Sequence, residues 1–328
     1  MYKELPYSIS PICAMGNHTI ALNILDNYQT VDMKTWFINS LINMDACVWF
    51  NRIFLRFSNE FNDNEFKNCP LLSKYFIPVS TVKSKNIDIV QLIQDMINCD
   101  YYTGFLCDRF YLNFCSDHFQ KNHFTHFALI IGYDTEAETF IIADYFREKY
   151  SIQKASFSEV RDSFVLNTHI SDMPFEDSII CVKYQESKYS YITYQKARII
   201  YLVERYLAGD VYPDVELWEG VSIYDALRLC VDRGHIQNSV LQAIYDHKLA
   251  MQKRMYYMDE LGLLKFNQEE KDQYQDAVLK ANQLRNYLLK YEISPKKPSI
   301  DQVYQKINEY KEYDILFMNK FLNKLKES

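Results

Sequence analysis

Glycine and proline are scarce in this sequence, 7 and 8 of 328 residues, so turn signals are few and no glycine-rich phosphate-binding pattern of the Rossmann or P-loop kind is present. No stretch approaches the roughly 20 apolar residues of a membrane span, and residues 1–11, which include Lys3 and Glu4, lack a signal-peptide core. The chain therefore reads as cytoplasmic, with no membrane partner. Positive charge is in deficit: the net charge is -7, and without a basic face nucleic acid is excluded as a partner. Regular cysteine spacing is missing as well. The eight cysteines are scattered, which suits reduced thiols, most of them buried, better than a disulfide framework.

What is present is apolar and aromatic. A hydrophobic content of 48% supplies a sizeable core, and 27 Tyr with 21 Phe imply heavy aromatic packing, with many tyrosines at half-exposed helix faces or on a pocket wall. Helical and strand periods are mixed over residues 1–187, whereas 188–328 is almost wholly helical. Helices are expected at 16–28, 32–41 and 86–97. Strands are expected at 47–57, 75–82, 101–106, 110–114, 126–133, 138–144 and 178–184, followed by helices at 195–208, 222–233, 237–261, 269–291 and 300–324. Early helices followed by a run of antiparallel-looking strands indicate an α+β fold rather than alternating βαβ units.

The most informative segment begins His126-Phe-Ala-Leu-Ile-Ile-Gly-Tyr-Asp134 and ends Phe140-Ile-Ile-Ala-Asp144. Two apolar runs flank a polar turn, and a hairpin centred on Thr135 places His126 directly opposite Asp144, with Cβ atoms about 4.5 to 5.5 Å apart. A carboxylate so placed fixes the tautomer of a catalytic imidazole. Cys13, just ahead of the first helix in Ser10-Pro-Ile-Cys13-Ala-Met-Gly-Asn-His18, is the best placed nucleophile. Helix N-terminal N–H groups are expected to lower its pKa and to hold an oxyanion. Cys13, His126 and Asp144 thus form a chemically complete acyl-transfer set.

Other readings stand beside this one. A cysteine is usually a buried small hydrophobe, and a strand-end histidine or turn aspartate usually has no catalytic role. Cys115, His118, His123 and His126 offer donors for zinc, but without Cys-x-x-Cys pairs or finger spacing they read as a polar loop ahead of a strand, and no metal or cofactor is expected. Asn17 and His18 are local candidates for substrate or oxyanion contacts. His169, His235 and His247 read as surface or packing residues.

The order Cys13, then His126-Phe-Ala-Leu-Ile-Ile-Gly-Tyr-Asp134, then Ile-Ile-Ala-Asp144 resembles the papain-like and bacteriocin-processing cysteine peptidase clan. More closely, it is similar to the family typified by the N-terminal domain of the butirosin-biosynthesis acyltransferase, which includes the amide-forming enzyme of closthioamide assembly. Trp218-Glu-Gly-Val-Ser-Ile-Tyr224 and Tyr245-Asp-His-Lys248 through Arg254 resemble the helical part of those proteins. Two positions depart from the clan: Tyr7 stands six residues before Cys13, where papain-type enzymes have the oxyanion Gln, and Tyr145 rather than Pro follows Asp144. Tyr7 is thereby a further oxyanion candidate.

The resemblance implies a papain-like catalytic domain at 1–187 with an antiparallel sheet, and a helical region at 188–328 that covers the cleft or makes a homodimer. It also implies a carrier-protein thioester donor and an amine acceptor, joined as an amide through a Cys13 acyl-enzyme in specialised-metabolite biosynthesis. Phosphopantetheine would enter only as the arm of an acyl or peptidyl carrier protein. Residue chemistry alone says acyl transfer, which leaves a cysteine peptidase or amidase, or a non-catalytic interaction protein of the same fold, as alternatives.

Overall fold

A computed structural model describes residues 1–13, 16–49, 52–58, 69–146, 149–167, 177–186, 192–234 and 236–328, with the side chains of 16–18, 49 and 149 excepted. In chain order the first elements are β1 (Tyr2–Glu4), α1 (Gly16–Leu25), α2 (Val31–Asn39), β2 (Met44–Trp49), β3 (Arg52–Phe57), β4 (Leu72–Pro78), α3 (Val79–Ser84), α4 (Ile89–Asn98) and β5 (Tyr102–Asp108). Then come β6 (Thr125–Asp134), β7 (Thr139–Phe146), β8 (Lys149–Ser156), α5 (Phe157–Val165) and β9 (Ser178–Tyr184). The last are α6 (Lys196–Ala208), β10 (Val211–Tyr212), β11 (Leu217–Glu219), α7 (Ile223–Asp232), α8 (Asn238–Glu260), α9 (Gln268–Ile293) and α10 (Ile300–Glu327). Among the described residues, no helix is long and apolar enough to cross a membrane.

The chain divides into two compact units: Met1–Ile9, Asn23–Asn27 and Pro70–Glu186 form one, and Ser10–Leu22, Tyr28–Cys69 and Ser187–Ser328 form the other. The units change between Glu186 and Ser187, and residues 10–22 and 28–69 group with the C-terminal helices rather than with the strands of 70–186. The reason is sheet pairing. Leu217, Trp218 and Glu219 of β11 pair with Cys47, Ala46 and Asp45 of β2, which ties this early hairpin to the late chain.

The first unit is an antiparallel sheet of order β4-β9-β5-β6-β7-β8, with β1 also pairing on β6. Six of the seven β5 residues are buried, as suits an interior strand covered on both faces. Gly132 is required where β1 arrives, because a Cβ there would lie 2.7 Å from the Lys3 carbonyl oxygen. Helix α4 starts with the Asp88 carboxylate accepting from Val90 N at 3.0 Å and buries Ile89, Val90, Ile93 and Ile97, the stripe expected of an amphipathic helix. Helix α5 begins with a full capping box, Ser156 and Glu159 exchanging bonds with each other's backbone.

Three strand expectations change. The 75–82 run is strand only to Pro78, which ends the ladder opposite Ser178, the first residue of its partner β9, and the β-branched residues after it form α3. The 110–114 run is not a strand. The buried Asp108 carboxylate accepts from Phe110 N at 3.1 Å and Phe124 N at 3.2 Å, folding residues 109–111 into a 3-10 turn. The 47–57 run is a hairpin of β2 and β3, in which Met44 faces Phe57 and Trp49 faces Arg52.

The second unit holds the sheet β10-β11-β2-β3 and helices α2 and α6 to α10, together with Gly16–Leu22 of α1. The two last helices start with capping boxes. Asn267 and Glu270 form a capping box at α9, and Ser299 and Gln302 form one at α10, arrangements worth roughly 1 kcal/mol each.

Candidate functional site

His126 lies one residue into β6 and Asp144 near the end of β7, and His126 Nδ1 is 3.0 Å from Asp144 Oδ1 and 3.1 Å from Oδ2. The hairpin that joins them is not centred on Thr135. Asp134 pairs with Thr139, and the two side chains are not directly opposed. From the turn the ladder runs regularly to Gly132 opposite Ile141, but Ile130 then opposes Ile142, so Ile131 is an extra residue bulged out of β6. Leu129 opposes Ala143, and one step further Asp144 falls opposite Ala128. His126 is two residues from Ala128 and shares its face. Without the bulge, parity would set His126 and Asp144 on opposite faces. Diagonal neighbours on one face lie about 7 to 8 Å apart, within reach of an imidazole and a carboxylate.

The hydrogen bonds of His126 fix its tautomer. Both partners of Nδ1, the Asp144 carboxylate and the Phe127 carbonyl at 3.0 Å, can only accept, so Nδ1 carries the proton and the neutral ring presents Nε2 as a base. The Asp144 side chain is 4% exposed while that of His126 is 38% exposed, so the carboxylate is sealed and the imidazole is reachable.

Arg109, which no sequence signal marked, completes this arrangement. Its Nη2 donates to Asp144 Oδ2 at 2.6 Å and to the Tyr145 carbonyl at 2.7 Å, and Tyr145 N donates to Asp144 Oδ1 at 2.6 Å. A buried carboxylate is thereby charge-balanced as well as hydrogen-bonded. The Arg109 guanidinium lies 5.5 Å from the Phe124 ring centre and 5.6 Å from that of Phe146. Phe124 in turn is stacked at 4.5 Å on His118 and at 6.1 Å against His126.

Tyr7 is held by Tyr150 and Asn23: its hydroxyl is 2.5 Å from Tyr150 Oη and accepts from Asn23 Nδ2 at 2.9 Å. Burial pushes the Tyr7 phenol well above its ordinary value and the Asp144 charge adds to the shift, so it stays protonated. One of the two phenolic protons lies between Tyr7 and Tyr150.

The zinc donors are engaged elsewhere. His123 Nδ1 is 2.6 Å from Asp108 Oδ2, His118 is stacked on Phe124, and the Cys115 thiol is buried and pushed up to about 12 by that burial. Among the described residues, no group of three or more His, Cys, Asp or Glu side chains is placed to hold a metal. Cys69, Cys107, Cys115, Cys181 and Cys230 are buried, and Cys99 is exposed.

Cys13 belongs to the second unit, three residues ahead of the first residue of α1. Its backbone N–H donates to Asp246 Oδ2 at 2.7 Å, and Gln242 Nε2 donates to Asp246 Oδ1 at 2.7 Å. The thiol is not lowered as a helix N-terminus would make it. Burial and then the Asp246 charge push it up to about 11, with Arg285 opposing. The Asn17 and His18 side chains and all of His169 and His235 lie outside the described residues.

The Tyr245-to-Arg254 segment of α8 carries a buried polar array. His247 is a wholly buried packing residue, not a surface one, and it is also hydrogen-bonded at both ring nitrogens: Nε2 donates to the Ile42 carbonyl at 2.8 Å and Nδ1 accepts from Lys248 Nζ at 3.0 Å. Lys248 is paired with Asp314, which also accepts from Tyr206 at 2.5 Å and Tyr224 at 2.6 Å. Arg254 donates to the carbonyls of Ile38 and Leu41 at 3.0 Å each and to that of Ser40, capping the C-terminal end of α2 with a cation, although burial draws its guanidinium down to about 9.

No family model and no curated protein matches the chain.

Proposed function

We propose that this protein is a cysteine-dependent acyltransferase of papain-like fold, with Cys13 as nucleophile and the Asp144-held His126 as base. The single observation carrying this reading is the His126 arrangement: Nδ1 protonated against a sealed, Arg109-balanced carboxylate, with Nε2 left to take a proton. An antiparallel sheet preceded by helices in an α+β chain supports the fold assignment.

In the proposed reaction the Cys13 thiol gives its proton to His126 Nε2 and sulfur attacks a thioester carbonyl. The tetrahedral adduct collapses, breaking the bond to the donor thiol, which leaves with the imidazolium proton. An amine then attacks the Cys13 acyl thioester and loses its proton to His126. As the amide forms, Cys13 leaves and is reprotonated. The donor of the resemblance is an acyl or peptidyl carrier protein with its phosphopantetheine arm, and the acceptor a small amine in specialised-metabolite biosynthesis. Tyr7, paired with Tyr150, is the proposed replacement for the oxyanion Gln.

The partition of the acyl-enzyme tests the reading. With an acyl thioester and rising amine concentration, amide should form at the expense of free acid in wild type and be lost in His126→Ala. Free acid alone at every amine concentration would make the protein a hydrolase of the peptidase or amidase kind, and no turnover in either protein would support a non-catalytic role.

A further inference from the structure

The hydrogen bond from Cys13 N to Asp246 has a chemical cost for the proposed reaction. When a side chain attacks a carbonyl, the oxyanion forms beside the nucleophile's own peptide, and the N–H of that residue is a standard donor to it. Here that N–H is spent on a carboxylate that is itself 0% exposed. The Asp246 carboxylate accepts from both Cys13 N and Gln242 Nε2 and stands where a thiolate and then an oxyanion would develop in the proposed reaction, its charge opposing the thiolate.

We propose that Asp246 is a positioning residue that keeps Cys13 in reserve: it occupies the Cys13 backbone N–H and disfavours the thiolate, and acyl transfer requires this hydrogen bond to be given up. The proposal rests on Cys13 being the nucleophile. Its geometry lies wholly within the second unit. The charged groups acting on the thiol among the described residues are Asp246 on α8, which raises it, and Arg285 on α9, which lowers it. Asp246 stands next to His247 and Lys248, whose bonds to Ile42 and Asp314 tie that turn of α8 to the core. The carboxylate is therefore held at Cys13 by a built framework rather than by a surface side chain.

The test is site-resolved alkylation of Cys13 by iodoacetamide, read by peptide mass spectrometry from about pH 6 to about pH 11. In wild type the mid-point should lie well above the roughly 8.5 of an ordinary thiol. Asp246→Asn, which keeps the shape and the acceptor oxygen but removes the charge, should lower the mid-point by about one unit, a roughly tenfold faster alkylation near neutrality. A wild-type mid-point at or below about 8.5 overturns the proposal whether or not the variant folds, as does an unchanged mid-point in a folded Asp246→Asn protein. Acyl loading measured on wild type and Cys13→Ala separates the two readings. Equal loading removes Cys13 as nucleophile, and with it the proposal's catalytic meaning, while the alkylation profile still reports the hold of Asp246 on the thiol.

Discussion

His126 and Asp144 meet although they are two residues out of register on neighbouring strands, because the extra residue Ile131 returns them to one face of the sheet. The bond therefore depends on side chains reaching diagonally, and it is sensitive to the chemistry of the carboxylate. Asp144→Asn keeps the volume but no longer enforces the Nδ1–H tautomer. The proposed acyl transfer should fall by about 10²- to 10⁴-fold, measured as the rate of amide formation, and a thermal melt should show a folded but less stable protein, since Arg109 loses its counter-charge.

Arg109 and Asp144 are a buried pair, and removal of one partner strands the other. Arg109→Leu should cost about 3 to 5 kcal/mol of stability, read as the shift in a denaturant titration. The double variant Arg109→Leu with Asp144→Leu should recover part of that loss, since no buried charge remains. A single substitution that costs nothing would mean the pair is solvated in solution.

The α+β order, the apolar runs of β6 and β7 and the five C-terminal helices follow from periodicity and end signals, and the helices lie within three residues of their expected bounds. The bulge at Ile131 was not legible, since an isoleucine inside an apolar run carries no mark of being unpaired. Arg109 was missed because it matters only once the Asp108 carboxylate folds the run after β5 into a turn. The grouping of residues 28–69 with the late helices depends on β11, whose three residues carry too little pattern to announce a partner 172 positions away, as Trp218 pairs with Ala46 only in the folded chain. Asp246 carries no mark in the sequence, since its partner Cys13 N is brought to it only by the N-terminal segment of the folded chain.

Stability should fall on mild acidification because of His247. Burial holds its folded-state pKa well below the ordinary value, so above about pH 6.5 both states are neutral and the residue contributes no pH dependence. Below that, the unfolded chain takes a proton that the native state refuses, and stability drops by up to about 1.4 kcal/mol per pH unit. His247→Gln can donate to Ile42 and accept from Lys248, and should flatten the curve between about pH 6.5 and pH 5 relative to wild type. Parallel curves for the two proteins would contradict this.

Lys248 is buried beside Asp314 with its pKa lowered by desolvation and supported by that carboxylate. Lys248→Met leaves Asp314 with phenolic donors only, and should cost about 3 to 5 kcal/mol in a chemical denaturation. Asp314→Asn, which retains an acceptor for Tyr206 and Tyr224, should also destabilise, since it leaves the ammonium without a counter-charge.

In the resting protein Cys99, the exposed thiol, should be alkylated before Cys13 at neutral pH, since Cys13 is half-buried and pushed up to about 11. Time-resolved peptide mapping checks the order. Faster modification of Cys13 would show that its thiolate is already stabilised without substrate.

The most direct measurement is intact-protein mass spectrometry of wild type and Cys13→Ala after exposure to a panel of carrier-bound and small acyl thioesters, followed by amine. An acyl adduct on wild type, absent from Cys13→Ala and discharged by amine to an amide, is the predicted result; equal labelling of the two proteins would contradict the assignment of Cys13 as nucleophile.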